Sequence, residues 1–130
     1  MIRPKRTGAT LLDVLQIAEH LIDQQWAWCR SGGHGNVHAR DQRDRPVDPQ
    51  DRRAERFTLV GAIAAAAPDE KTYLAAHAAV WRHAHPGMLL SQWQDAVGWE
   101  RSLNALRQAI VDVRLELLAT PKRPPRPSGA

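Results

Sequence analysis

The chain has 130 residues but only one cysteine, one tyrosine and one phenylalanine, and its longest apolar run, Leu59 to Ala67, is nine residues. A lone cysteine cannot close an internal disulfide, which fits a reducing compartment. A nine-residue run falls far short of the roughly 20 residues that span a bilayer. The basic opening "MIRPKR" could begin an export signal, but Asp13, Glu19 and Asp23 interrupt the apolar stretch that should follow. No Gly-rich loop sits between a strand and a helix, so no nucleotide-binding motif and no cofactor are expected. A soluble, cytoplasmic protein without a membrane partner is the expectation.

Basic residues are also scarce where the fold should be, despite a net charge of +4. Arg3, Lys5 and Arg6 precede residue 7, and Lys122, Arg123 and Arg126 follow residue 120. Taking those six from the 18 basic residues leaves 12 against 14 acidic ones, all within 7–120, so that segment carries about −2. The basic character belongs to the chain ends. It argues against a broad phosphate-binding face on the fold. The length suits one domain that buries roughly two-thirds of its unfolded surface. The expected division is a disordered basic tail over 1–7, a single α-rich domain over 8–120, and a disordered Pro-rich basic tail, "PKRPPRPSGA", over 121–130.

What remains has mostly a helical period. A first helix is expected over Leu11 to Trp28, with Thr10 and Asp13 in a capping box and Leu11, Val14, Leu15, Ala18, Leu21, Ile22 and Gln25 on one face. A second should run from an Asp51 cap to Pro68, apolar nearly all round from Phe57 to Ala67 and therefore central, with Gly61 marking a close helix–helix crossing. Asp69 should cap a third, whose face carries Tyr73, Leu74, His77, Val80, Trp81 and Ala84 and which "HPG" ends. A connector, "MLLSQWQDAVG", with Ser91 as a cap, leads to a last helix over Trp99 to Ala119, striped by Trp99, Leu103, Leu106, Ile110, Val113 and Leu117. The expected fold is mainly α: a compact four-helix core with a small β-hairpin between helices 1 and 2, in which "NVHAR" and "RPVD" flank a "DQRD" turn and Pro46 keeps to an edge.

The stretch "WAWCRSGGHGNVHARDQRDRPVDPQD" holds most of the candidate chemistry. Cys29 at a helix C-terminus would meet a dipole that disfavours a thiolate, so a small buried hydrophobe is the simpler reading. Cys29, His34 and His38, with His83 or His85, could ligate a metal, but their spacing lacks the tight pairs of zinc sites. His77 reads as a hydrogen-bonded core histidine. Asp41, Asp44, Asp48, Asp51 and Glu55 alternate with Arg40, Arg43, Arg45, Arg52, Arg53 and Arg56, a pattern of internally paired surface charge rather than of two carboxylates across a cleft. The Trp residues fall mostly at helix-face spacing and read as core, not as base-stacking platforms.

From "RPVDPQDRRAERFTLVGAIAAA" onward the chain resembles a family of small bacterial and phage-encoded proteins known as a domain of unknown function. The resemblance spans roughly 11–112. It rests on Trp28, on Asp41, Pro46, Val47 and Pro49 in D-x4-P-V-x-P, on Ala54 and Arg56, on Gly61, Ala62 and Ile63, on Trp93, Gln94 and Asp95, and on Ala109 and Ile110. Members often carry cysteine where this chain has Thr58, and asparagine where it has Gln94; both departures argue against a shared thiol chemistry. The expected function is a small non-enzymatic interaction module, an accessory or inhibitor protein of a phage or mobile element. It would bind a protein partner through the 30–56 loop, with Arg40, Asp41, Arg43, Asp44, Arg45, Arg52 and Arg53 at the surface. Second comes a nucleic-acid-associated protein using its basic tails and Arg cluster; third, a Cys/His-dependent or metal-dependent hydrolase.

Overall fold

The computed structural model describes residues 10–31 and 37–119; both expected tails and His34 lie outside them. The elements are α1 (Leu11–Ile22), a 3-10 turn (Gln25–Ala27), β1 (Ala39–Arg40), β2 (Arg56–Phe57), α2 (Leu59–Ala66), α3 (Glu70–Trp81), α4 (Leu90–Val97) and α5 (Trp99–Ala119). The fold is mainly helical, with the expected small antiparallel hairpin between the first two helices. No helix among the described residues is long and apolar enough to cross a membrane.

Thr10 and Asp13 form the capping box: the Asp13 N–H donates to Thr10 Oγ1 at 3.2 Å, and the Thr10 N–H donates to Asp13 Oδ2 at 3.0 Å. Val14, Leu15, Ala18 and Ile22 are buried, and α1 packs against α2, α3 and α5. The helix stops at Ile22, not at Trp28. The indole N–H of Trp99 donates to the Ile22 carbonyl at 2.7 Å, taking the acceptor that a continuing helix would offer four residues on. The chain then crosses to β2. Trp28 bridges Phe57 in parallel, and the Cys29 N–H donates to the Phe57 carbonyl at 3.0 Å.

The second strand of the hairpin is not "RPVD". Ala39 pairs with Phe57 and Arg40 with Arg56, while the 46–47 segment adds an isolated Arg40–Pro46 bridge and a 3.0 Å bond from the Val47 N–H to Ala39. Proline has no N–H with which to extend that ladder. Since Arg56 and Phe57 are strand, α2 starts after Thr58. The Thr58 hydroxyl accepts the Gly61 N–H at 2.9 Å, a cap worth about 1 kcal/mol. Asp51 caps no helix. It closes a turn, accepting the Arg53 N–H at 2.8 Å.

Five of the eight residues of α2 carry buried side chains, Leu59, Val60, Ala62, Ile63 and Ala66, and its backbone is buried at Gly61. The close approach at Gly61 is real but its partner is no helix. A Cβ there would lie 1.8 Å from the His38 carbonyl oxygen, so the segment entering β1 rests on this turn of α2. Asp69 caps α3 as expected, through the Thr72 N–H at 2.7 Å. Ala76, Ala79 and Val80 are its buried residues, whereas Leu74 and Trp81 are exposed. The expected connector contains α4, which buries Leu90, Trp93 and Gln94. Ser91 is not its cap; Gln92 Oε1 accepts the Leu89 N–H at 3.3 Å. Gly98, at φ 88°, turns the chain from α4 into α5. The α5 stripe runs through Leu103, Leu106, Ile110 and Val113 and ends there, because Leu117 is 61% exposed.

Candidate functional site

The Arg/Asp loop is organised by its aspartates. Asp41 is only 4% exposed. Its carboxylate accepts the Arg43 and Arg45 N–H groups at 2.9 Å each and Arg45 Nε at 3.0 Å. The Arg45 backbone bond leads the contacts that hold the Asp41 carboxyl below its usual range. Asp44 takes a left-handed conformation, φ 65°, which Asp tolerates better than most residues. Its carbonyl accepts Arg40 Nη1 at 2.9 Å and its carboxylate pairs with Arg56. Asp48 accepts the Gln50 N–H at 2.8 Å, so it builds a turn as well. The Gln50 amide then donates to the carbonyls of Ala64 at 2.7 Å and Ala67 at 3.1 Å, which ties the loop to the end of α2. Asp51 accepts the Arg53 backbone N–H, Nε and Nη2 at 2.8, 3.1 and 3.0 Å. The Arg53 guanidinium is the leading reason its carboxyl is lowered to about 2.

Acids held that low are fully ionised at neutral pH and make poor proton donors. They are the frame on which the arginines stand. Arg40 and Arg56 are partly buried in that frame; Arg45 and Arg53 are exposed but lean on Asp41 and Asp51. Arg43 and Arg52 are exposed, and among the described residues neither joins an ion pair. Asp41, Gln42, Arg43, Arg45, Arg53 and Glu55 line a shallow dent of about 180 Å³.

The thiol candidate sits elsewhere. Cys29 is buried and, as it follows the 3-10 turn in an extended segment, it is not at a helix end. Burial pushes its thiol up, with partial relief from Arg40 and Arg56, so the thiolate a nucleophile needs is disfavoured. His38 Nδ1 lies 3.2 Å from Thr58 Oγ1. Among the described residues, no three His, Cys, Asp or Glu side chains converge as metal ligands. His83 Nε2 is 2.6 Å from Asp112 Oδ2, and His85 Nδ1 accepts the Gly87 N–H at 3.0 Å. His77 is half-buried against the Tyr73 ring, 5.8 Å between centroids, and burial lowers its pKa.

Several polar residues to which the sequence assigned no contact hold the loop's base. Gln94 is fully buried, and its Oε1 accepts the Val60 N–H in the first turn of α2 at 2.9 Å. Asp95 accepts the Ser31 N–H at 2.9 Å and also the Ser31 hydroxyl. Arg30 Nε donates to the Asp95 carbonyl at 3.1 Å, and its guanidinium lies 5.4 Å from the centre of the Trp28 ring. One stretch of α4 thus fastens the start of α2 and the segment after Cys29. Trp93, Gln94 and Asp95 were in the set on which the sequence resemblance was drawn, though nothing local showed what they would fasten. Gly61, Asp41 and Pro46 of that set are also structural.

A family model described as a family of unknown function, DUF6197, matches residues 6–112. The chain belongs to this family. No curated protein and no solved structure matches it. The family match ends inside α5, whose last turns, with exposed Leu115, Leu117 and Leu118, therefore extend beyond it.

Proposed function

We propose that this member of the family is a small non-enzymatic interaction module, an accessory or inhibitor protein, that docks on a protein partner through the arginine side of the 37–57 loop. The observation that supports this reading is the division of labour within the loop. Asp41, Asp48 and Asp51 are used up fixing the backbone, which leaves the Arg43 and Arg52 guanidinium groups outward on a fixed frame. Side chains presented this way lose little loop entropy on binding, and exposed charge governs encounter and selectivity. The buried thiol and the lowered carboxyls support a binding role over a hydrolytic one.

The experiment is site-specific photo-crosslinking. A benzophenone side chain is placed at position 43 or 52 in the full chain expressed in its host, and at the exposed, distant position 114 as a control. The expected result is one protein adduct, common to positions 43 and 52 and absent at 114, that charge reversal at the other loop arginine abolishes. Crosslinks to nucleic acid in its place would favour a role carried by the basic chain ends. Equal adducts at all three positions would remove the loop from the account.

A further inference from the structure

Beside the arginine dent lies a larger open groove of about 430 Å³, lined among others by Leu21, Asp23, Trp26, Ala54, Glu55 and Phe57. Trp26 stands on the 3-10 turn and is 67% exposed, so helix-face packing does not account for it. Large aromatics left in water beside an apolar floor are the usual anchors of protein interfaces. Of the acids that line this groove, Asp23 is paired with Arg107 at 2.9 Å, which leaves Glu55 as the carboxylate outside an ion pair among the described residues. In the dent Arg45 is held by Asp41 and Arg53 by Asp51, which leaves Arg43 as its arginine outside an ion pair among the described residues. Glu55 lines both. The two therefore adjoin at Glu55.

We propose that groove and dent form a single bipartite dock for a short segment of a protein partner that carries a large apolar side chain a few residues from a carboxylate. This rests on the loop reading above and extends it to a second contact. The apolar side chain packs against Trp26, and the carboxylate meets the Arg43 guanidinium, which no internal acid holds. A fork-to-carboxylate contact there is both directional and strong for its size. A phosphate backbone suits the surface less well. It would bring regularly spaced negative charge past Glu55, which lines both groove and dent. The chain's own ends do not fit either, since residues 1–9 and 120–130 contain no Asp or Glu to offer the dent.

The test selects binders to the intact chain from a displayed library of random dodecapeptides, then measures the enriched peptides by fluorescence anisotropy against Trp26→Ala, Arg43→Glu and, as a distant charge reversal, Arg114→Glu. Circular dichroism checks that each variant keeps its helix content. Enriched peptides should share an acidic and a large apolar residue at a fixed separation. Trp26→Ala and Arg43→Glu should each weaken binding by roughly tenfold or more, with Arg114→Glu indistinguishable from the parent. Binding that falls with Arg43→Glu but ignores Trp26→Ala would overturn the bipartite dock while leaving the loop reading intact. Peptides indifferent to both variants, basic peptides, or no enrichment at all would overturn the dock outright.

Discussion

Replacing Gly61 with alanine would place a methyl carbon 1.8 Å from the His38 carbonyl oxygen, and backbone cannot swing aside as a side chain does. Alanine gains about 1 kcal/mol of helix propensity over glycine, yet forcing β1 off α2 should cost about 1–3 kcal/mol or more. Urea denaturation should therefore show Gly61→Ala less stable than the parent; an equal or higher midpoint would mean that the segment before β1 does not rest on α2. Glycine inside an apolar helix was readable as a close contact, but not its partner, because nothing local tells a crossing helix from an incoming strand. The aspartates give a second prediction. Asp51 is held at about 2 in the fold against about 3.9 when unfolded. A lowered pKa means that the ionised form favours the fold, so this contribution is complete above about pH 4 and disappears as the pH falls through the folded value. Asp41, also lowered, acts in the same direction. Asp51→Asn should unfold at a lower temperature than the parent at pH 6, with the gap closing toward about pH 2. A gap independent of pH would show that the Arg53 contacts do not stabilise the fold through charge.

At the scale of elements, those with strong local signals were legible. The Thr10–Asp13 box starts α1, Asp69 starts α3, and the bounds of α5 match its apolar stripe through Val113. Boundaries set by distant partners were not. The end of α1 depends on the Trp99 indole, the start of α2 on the pairing of Arg56 and Phe57 with β1, and α4 on Gln94 being buried against α2. An aspartate before a helical run reads as a cap, and only the tertiary fold turns Asp51 into a turn residue. The end of the α5 stripe can be tested directly. Leu106 is fully buried and Leu117 largely exposed. Leu106→Ala should cost about 2–5 kcal/mol, whereas Leu117→Ala should stay within about 0.5 kcal/mol of the parent. Comparable losses at both positions would mean that the last turns of α5 pack on the core.

Over the whole molecule, the residues on which the sequence resemblance was drawn mostly build the scaffold, while Arg43, Arg52 and Trp26, the groups proposed to meet a partner, lie outside that set. The arginine surface was legible as a charge pattern. Its division into framing and free arginines was not, since Arg40, Arg43 and Arg45 look alike in sequence and, of these three, only Arg43 lacks an ion pair among the described residues. The distinction matters for choosing variants: reversing Arg45 would break an ion pair and set a second acid beside buried Asp41, whereas reversing Arg43 or Arg52 breaks no ion pair among the described residues. The most direct measurement is the affinity of the crosslinked partner, once isolated, for Arg43→Glu/Arg52→Glu and for Cys29→Ser/His38→Ala, each at low and at physiological salt. The account predicts that the arginine pair loses binding at both salt concentrations with an unchanged circular dichroism spectrum, while the Cys/His pair binds like the parent. Loss of binding in the Cys/His variant with the arginine variant still active would contradict it and make the buried thiol the working group.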